Sequence, residues 1–495
     1  MELANQPFDV ILRNGTLIDG TGQAAAKADV AIRADRFVKI GNLKGATALE
    51  EFDVRGLVVA PGFIDVHTHD DAALIARPEM TPKLTQGVTT VIGGNCGISA
   101  APYRAAGDPP GLLRLILKSD QFVATTFDDY LRKVRSAAPS VNSAFLTGHI
   151  TLRMEVMGED LNRPAKPAEI VAMRELLTEC LKEGSLGLST GLYYPPARAA
   201  TMQEVIEVAG PLSTYQGVYT THMRDESDHV MESIEESLET GRLLGVPLII
   251  SHHKCMGRQN FGRSAETLAR IALARLSQPV ALDVYPYTAA STVLRAELVE
   301  RAEKTVIAWC DPFPEFGGRD LVDAADALGC SLAEAVAKLQ PAGAIYFAMD
   351  DDDVTRILQF PAAMIGSDGL PEDQHPHPRL WGTFPRVLGR YVRERKALTL
   401  VEAVHRMTGS PAEQFGIQNR GRVAVGRHAD LCVFDPETVQ DSATFERPIS
   451  AAIGIRHVFV NGQIALKDGV PTGVRAGRAL QRQDMVATVT AGAMK

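Results

Sequence analysis

The sequence predicts an α/β fold: a (β/α)8 TIM-like barrel with a small β-sandwich built from both chain termini. Three observations carry this. Eight short apolar runs alternate with longer helical patterns between residues 61 and 415. Seven of the eight carry polar or ionisable residues at or near their C-terminal ends, the end at which a barrel builds its site. Strand-like texture fills residues 1–60 and returns over 416–480, with β-branched residues broken by Asn-Gly and Ala-Asp turns.

The N-terminal strands are read in FDVILRNGTLID, ADVAIRADRFVKIG and EFDVRGLVVAPG. The barrel runs follow: GFIDVHTH (62–69), TTVIGGNC (89–96), NSAFLTGH (142–149), SLGLSTG (185–191), VYTTHMR (218–224), PLIISHHK (247–254), VALDVYPY (280–287) and AAMIGSDG (362–369). Continuous apolar runs followed by helices such as PAEIVAMRELLTECLKEG suit parallel strands covered on their outer face. A doubly wound sheet is the rival, but it does not require polar residues at so many strand ends. Residues 288–345 are long for one connection and read as a small helical insertion beside the barrel mouth. VAVGRHADLCVFD and SAAIGIRHVFVNGQIALKDG complete the sandwich.

The bulk numbers narrow the function. A chain of 495 residues with 45% hydrophobic and 22% charged residues has the composition of a globular protein with a large core. A net charge of -9 argues against nucleic acid and anionic membrane as partners. No stretch of 18 apolar residues is present to span a bilayer. The six cysteines (96, 180, 255, 310, 330, 432) are scattered without CxxC spacing, which points to a reducing compartment. The N-terminal MELANQPFDVILRNG lacks a signal-peptide pattern. A cytoplasmic location is the expectation.

His67 and His69 in DVHTH share one strand face, so both imidazoles aim at the barrel mouth. His222 ends the fifth run, His252 lies in the sixth and Asp368 in the eighth. Four histidines and a carboxylate converging from these strands suit one or two divalent metals. Hydrogen-bonded core histidines are the bland alternative for any one of them, but not for the set. Cys96, in VIGGNCGIS, taken alone reads as a small buried hydrophobe. His253 is out of phase with His252 and should face away from the barrel axis. His149 ends the third run without an assigned role.

PGFIDVHTHDD, THMRDE, ISHHK and IGSDG, in this order, resemble the amidohydrolase superfamily of metal-dependent hydrolases. GGNCGIS, SHHK, DVYPYTAAST and HPRLWGTFPRVLGRYVRE are similar to the N-acyl-D-amino-acid deacylases (D-aminoacylases), across nearly the whole chain. Many two-metal members of the superfamily bridge their ions with a carboxylated lysine from strand four. Here that run ends Ser189-Thr190-Gly191, and the resemblance gives the bridging role to Cys96. It further implies a tight zinc on Cys96, His222 and His252, with a weaker second site on His67, His69 and Asp368. Asp368 would take a proton from the attacking water and return it to the leaving nitrogen. Lys254, Tyr285, Ser291 and Arg379 match the positions that grip the substrate's α-carboxylate.

Two roles stand for Arg295, four residues beyond Ser291. It could meet a side-chain carboxylate, favouring N-acyl-D-glutamate or N-acyl-D-aspartate, or it could pair with Glu297 or Glu300 on a helix surface. The resemblance to the acidic-substrate branch tilts the reading to the first. The function expected is therefore zinc-dependent hydrolysis of a small-molecule N-acyl-D-amino acid. A cyclic-amide hydrolase of the hydantoinase or dihydroorotase type is the second enzyme reading, opposed by the missing lysine and by Cys96. A catalytically silent binding protein is the third, opposed by the presence of all six ligands.

Overall fold

All eight barrel runs form strands, and every residue of those strands is buried. The computed structural model describes residues 7–104, 111–117 and 124–482. Five strands precede the barrel: β1 (Phe8–Leu17), β2 (Ala26–Arg33), β3 (Arg36–Gly41), β4 (Ala48–Asp53) and β5 (Val58–Pro61). The barrel then begins with β6 (Phe63–Asp65), β7 (Val88–Gly93), β8 (Asn142–Phe145) and β9 (Thr147–Gly148). It continues through β10 (Gly187–Gly191), β11 (Val218–His222), β12 (Leu248–Ile250) and β13 (Val280–Val284). After an insertion of β14 (Ala289–Val293), β15 (Lys304–Cys310) and β16 (Ala342–Phe347), β17 (Ala363–Ile365) supplies the eighth barrel position.

Pairing is parallel throughout the barrel, with β6-β7-β8 in one segment and β9-β10-β11-β12-β13-β17 in the other. The third run is divided between β8 and β9, which are consecutive in the chain and join the two segments. A parallel bridge between Thr68 and Gly369 closes the ring from first strand to last. Ile64, Ile92, Ala144, Ile249, Ala281 and Met364 are buried in one cluster, so the barrel is packed rather than hollow.

The terminal strands form one connected nine-stranded sheet. It is completed by β18 (Leu431–Phe434), β19 (Ile455–Val460), β20 (Gln463–Lys467) and β21 (Val470–Pro471). β5 is its hinge, pairing parallel with β1 and antiparallel with β18. Val30, Ile32 and Phe37 from one half share a core with Leu431, Val433 and Phe459 from the other. Both termini are thus needed for a single apolar core.

The insertion differs from expectation. Helices occupy Ala296–Val299, Leu321–Ala327 and Leu332–Lys338, but its frame is a three-stranded antiparallel sheet in the order β14-β16-β15. The stretch ELVERAEKTVIAW reads as one helix, yet only its first turn is helical. Thr305, Val306, Ile307 and Trp309 are β-branched or aromatic and pack best on a pleated surface. Tertiary pairing with β16 decides in favour of strand.

Candidate metal centre and substrate cavity

Strand alternation places His67 and His69 as expected, and the strand ends bring the remaining ligands to them. Cys96 is the hub: its Sγ lies 3.2 Å from His67 Nε2 and 3.2 Å from His252 Nε2. His69 and His222 lie near enough to the thiol to interact with it electrostatically. Asp368 Oδ1 is 3.2 Å from His69 Nε2 and 3.5 Å from His67 Nε2. All six predicted ligands are buried.

Three of the six hold left-handed backbone conformations: Cys96 (φ 54), His252 (φ 34) and Asp368 (φ 49). Such strain clusters where a site over-determines the chain. The cysteine loop is built to permit it. A Cβ at Gly94 would lie 2.1 Å from the Leu146 carbonyl oxygen, and one at Gly97 would lie 2.7 Å from the Gly191 nitrogen. Ser189, within β10, fastens this loop. Its hydroxyl donates to the Gly94 carbonyl at 2.5 Å and accepts from the Gly97 N–H at 3.0 Å. Asp71 accepts from the Gly94 and Ala100 N–H groups at 3.3 and 3.2 Å.

The electrostatics ask for a cation. Burial favours the Cys96 thiol, but the surrounding imidazoles hold its pKa well below the usual thiol value. Burial disfavours positive charge on His69 and His252, yet acidic partners raise both to about 9. Burial would also raise Asp368, but Arg379, then His67 and His69, keep it well below the carboxylate range. Thiolate, carboxylate and imidazole donors form two sets, His67–Cys96–His252–Asp368 and His222–Glu226–His252, each with ligand atoms within 4.8 Å of one another. This S, N and O donor set fits zinc. His69 Nδ1 and His222 Nδ1 are buried without partners among the described residues.

Two residues that sequence reasoning missed position the imidazoles. Asp283, within β13, lies 3.3 Å from His67 Nδ1 and accepts the His252 N–H at 2.9 Å. A carboxylate inside an otherwise apolar strand was its available signal. Glu226 lies 3.0 Å from His252 Nδ1 and accepts from Lys254 Nζ at 2.8 and 2.9 Å. The two carboxylates thereby orient their histidines with Nε2 toward Cys96, and Lys254 Nζ also lies 2.7 Å from His252 Nδ1.

A cavity of about 580 Å³ opens beside the ligands, a volume typical of small-molecule sites. Lys254, Tyr285 and Ser291 line it. The Tyr285 and Ser291 hydroxyls are buried without partners among the described residues. Arg379 is fully buried, its guanidinium 4.6 Å from the Tyr285 ring centroid, 2.8 Å from Asp368 and 3.1 Å from the Ser291 carbonyl.

Of the two roles open to Arg295, the pairing with Glu297 is the one seen. Its guanidinium is paired with Glu297 at 2.5 Å, and Glu297, not Arg295, lines the cavity. His253 turns outward to Thr267 at 2.8 Å. His149 belongs to a separate buried cluster, 3.4 Å from Glu204, which Arg153 also pairs.

Comparison with known proteins finds relatives that match nearly the whole chain. The D-aminoacylase of Alcaligenes xylosoxydans xylosoxydans is 53% identical over 97% of this chain and 98% of its own. A solved D-aminoacylase described by its binuclear metal centre, with one-metal activation and second-metal attenuation, superposes with a TM-score of 0.93. It is 53% identical and is covered at 100%, against 96% of this chain. The N-acyl-D-glutamate deacylase of Bordetella Bronchiseptica, solved with zinc and a phosphonate mimic of the tetrahedral intermediate, also gives 0.93, at 44% identity and the same coverage. The amidohydrolase family model matches residues 50–466. With the barrel, the histidine pair and the strand-eight aspartate in place, the chain belongs to the amidohydrolase family.

Proposed function

We propose that this protein is a zinc-dependent N-acyl-D-amino-acid deacylase, cleaving a linear amide to a carboxylate and a free D-amino acid. One observation supports this above the others: a thiolate-centred ligand cluster sits beside Lys254, Tyr285, Ser291 and Arg379. Relatives named D-aminoacylase, N-acyl-D-aspartate deacylase and N-acyl-D-glutamate deacylase each match over 97% of this chain. Cys96, His222 and His252 would hold the tight ion, and His67, His69 and Asp368 a weaker one. Zinc when bound supplies Lewis acidity toward water and the acyl carbonyl.

The chain's own groups do the rest. Lys254, Arg379 and the two unpartnered hydroxyls bind the α-carboxylate, Arg by its planar fork. With that group and the acyl carbonyl fixed, the substituents of the α-carbon have one orientation, which selects one hand. Asp368 is ionised, so it accepts a proton from the attacking water and delivers it to the departing nitrogen. Arg379 keeps it ionised until that transfer. The six cysteines are all unpaired, which supports the cytoplasm as the place of action. Among the described residues no helix is long and apolar enough to cross a membrane.

The experiment is hydrolysis of N-acetyl-D- and N-acetyl-L-amino acids beside hydantoin and dihydroorotate. Turnover of the D-series alone is expected. Turnover of ring amides or of L-substrates alone would refute the assignment.

A further inference from the structure

The wall of the cavity beyond Ser291 carries a charge arrangement that the deacylase reading does not by itself explain. Glu297 Oε1 receives Arg295 from one side, with Nε at 2.8 Å and Nη2 at 2.5 Å, and Arg198 Nη2 from the other at 3.4 Å. Both guanidinium groups lie against the Tyr193 ring, Arg295 at 5.5 Å and Arg198 at 5.6 Å from its centroid. The Tyr193 hydroxyl is buried without a partner among the described residues. Tyr193 in turn stacks on His222, 5.7 Å and 25° apart. The cavity therefore meets Tyr193, Arg198, Glu297 and Leu298 on this side, with Arg295 drawn behind its acid.

We propose that Glu297 sets side-chain specificity by holding Arg295 and Arg198, so that the pocket takes uncharged D-side chains and turns away acidic ones. This rests on the deacylase reading above. The argument is one of competition. A carboxylate entering this wall would have to displace Glu297 from Arg295 and Arg198, both of which that acid already neutralises, and until it did so it would meet a like charge. An apolar side chain needs no such exchange and lies on Leu298 and Tyr193. Side-chain selectivity follows from which unpaired charge each substrate leaves behind. Arg295 is only 17% exposed, while Glu297 at 42% and Arg198 at 51% are open, so the substrate meets the acid together with an arginine already paired to it. Removing its charge leaves two arginines facing the pocket with no acid between them. The wall would then accept what it had refused.

The test uses zinc-loaded wild type, Glu297→Gln and the double variant Glu297→Gln/Arg295→Met. The substrates are N-acetyl-D-leucine, N-acetyl-D-glutamate and N-succinyl-D-leucine, which carries its extra carboxylate on the acyl side. Wild type is expected to prefer N-acetyl-D-leucine. Glu297→Gln should raise kcat/KM for N-acetyl-D-glutamate relative to N-acetyl-D-leucine by about tenfold or more, with N-succinyl-D-leucine unaffected. The double variant should lose that gain. A wild type that prefers N-acetyl-D-glutamate overturns the proposal, as does an unchanged ratio in Glu297→Gln. A gain confined to N-succinyl-D-leucine also overturns it, by placing the acyl group at this wall. No turnover of any of the three by wild type would instead remove the deacylase reading itself.

Discussion

Asp283→Asn changes one atom and is expected to cost the protein its second metal while sparing the first. The carboxylate of Asp283 accepts from two donors: the His252 N–H at 2.9 Å and the His67 ring at 3.3 Å. Asparagine offers one acceptor and one NH2. The His252 N–H is a backbone donor and cannot change its role, so it takes the carbonyl oxygen. The NH2 then faces His67 Nδ1, which must become an acceptor. The ring proton moves to Nε2, the atom 3.2 Å from Cys96 Sγ and 3.5 Å from Asp368. A protonated Nε2 has no lone pair to give a metal. Loss of such an outer partner costs about 10–100-fold in metal affinity, or about 1.4–2.7 kcal/mol. The loss falls on the site that uses His67. His252 keeps its backbone acceptor, and its Nδ1 partners, Lys254 Nζ at 2.7 Å and Glu226 at 3.0 Å, are untouched, so the tight site should hold within about threefold. Equilibrium dialysis of metal-stripped protein against zinc, resolving first and second equivalents, reads both numbers. An equal loss at both sites, or no loss at the second, would refute the tautomer argument.

Two further outcomes are expected. Lys254→Met should raise KM for an N-acetyl-D-amino acid by about tenfold or more, since a charge-assisted hydrogen bond to the substrate contributes about 1.5–3 kcal/mol; steady-state kinetics in which only kcat falls would contradict the binding role. Glu204 gives a pH dependence. Burial raises its pKa, but His149, the Ala165 N–H and Arg153 bring it from 4.5 to about 2. His149 is itself pushed below its ordinary value by burial, so it is neutral at pH 7 and Arg153 is the charged partner. A lowered carboxylate stabilises the fold above pH 4.5 and loses that contribution as pH falls through about 2. The contribution is about 3 kcal/mol, and Glu204→Gln should flatten the acid limb of a urea-midpoint profile between those two pH values. An unchanged acid limb would show that the cluster carries no such linkage.

The parts of this site that alternate along one strand were legible, and those joined only in space were not. DVHTH declares its two histidines because residues two apart share a face. His222, His252 and Asp368 declare themselves because each interrupts an apolar run near its end. Cys96 does not: its neighbours in sequence are turn glycines, and its role depends on His67 and His252, 29 and 156 residues away. Only the likeness to known deacylases singled it out. Glu226 sat in plain view within THMRDE, but its partner Lys254 comes from the next strand. Arg295 was legible in both of its roles: the two-residue step offered Glu297 as a partner, and that pairing forms beside the cavity. The insertion was misread as helical because the pairing of β15 with β16 spans residues far apart in the chain.

The account stands on Cys96 as the hub of a working metal site. Metal-stripped wild type and metal-stripped Cys96→Ala should each be given one equivalent of zinc and assayed on N-acetyl-D-leucine. The account predicts that wild type recovers its turnover, while Cys96→Ala neither retains the zinc through gel filtration nor hydrolyses the substrate. Turnover by stripped wild type without added metal, or zinc retention and full turnover by Cys96→Ala, would contradict it.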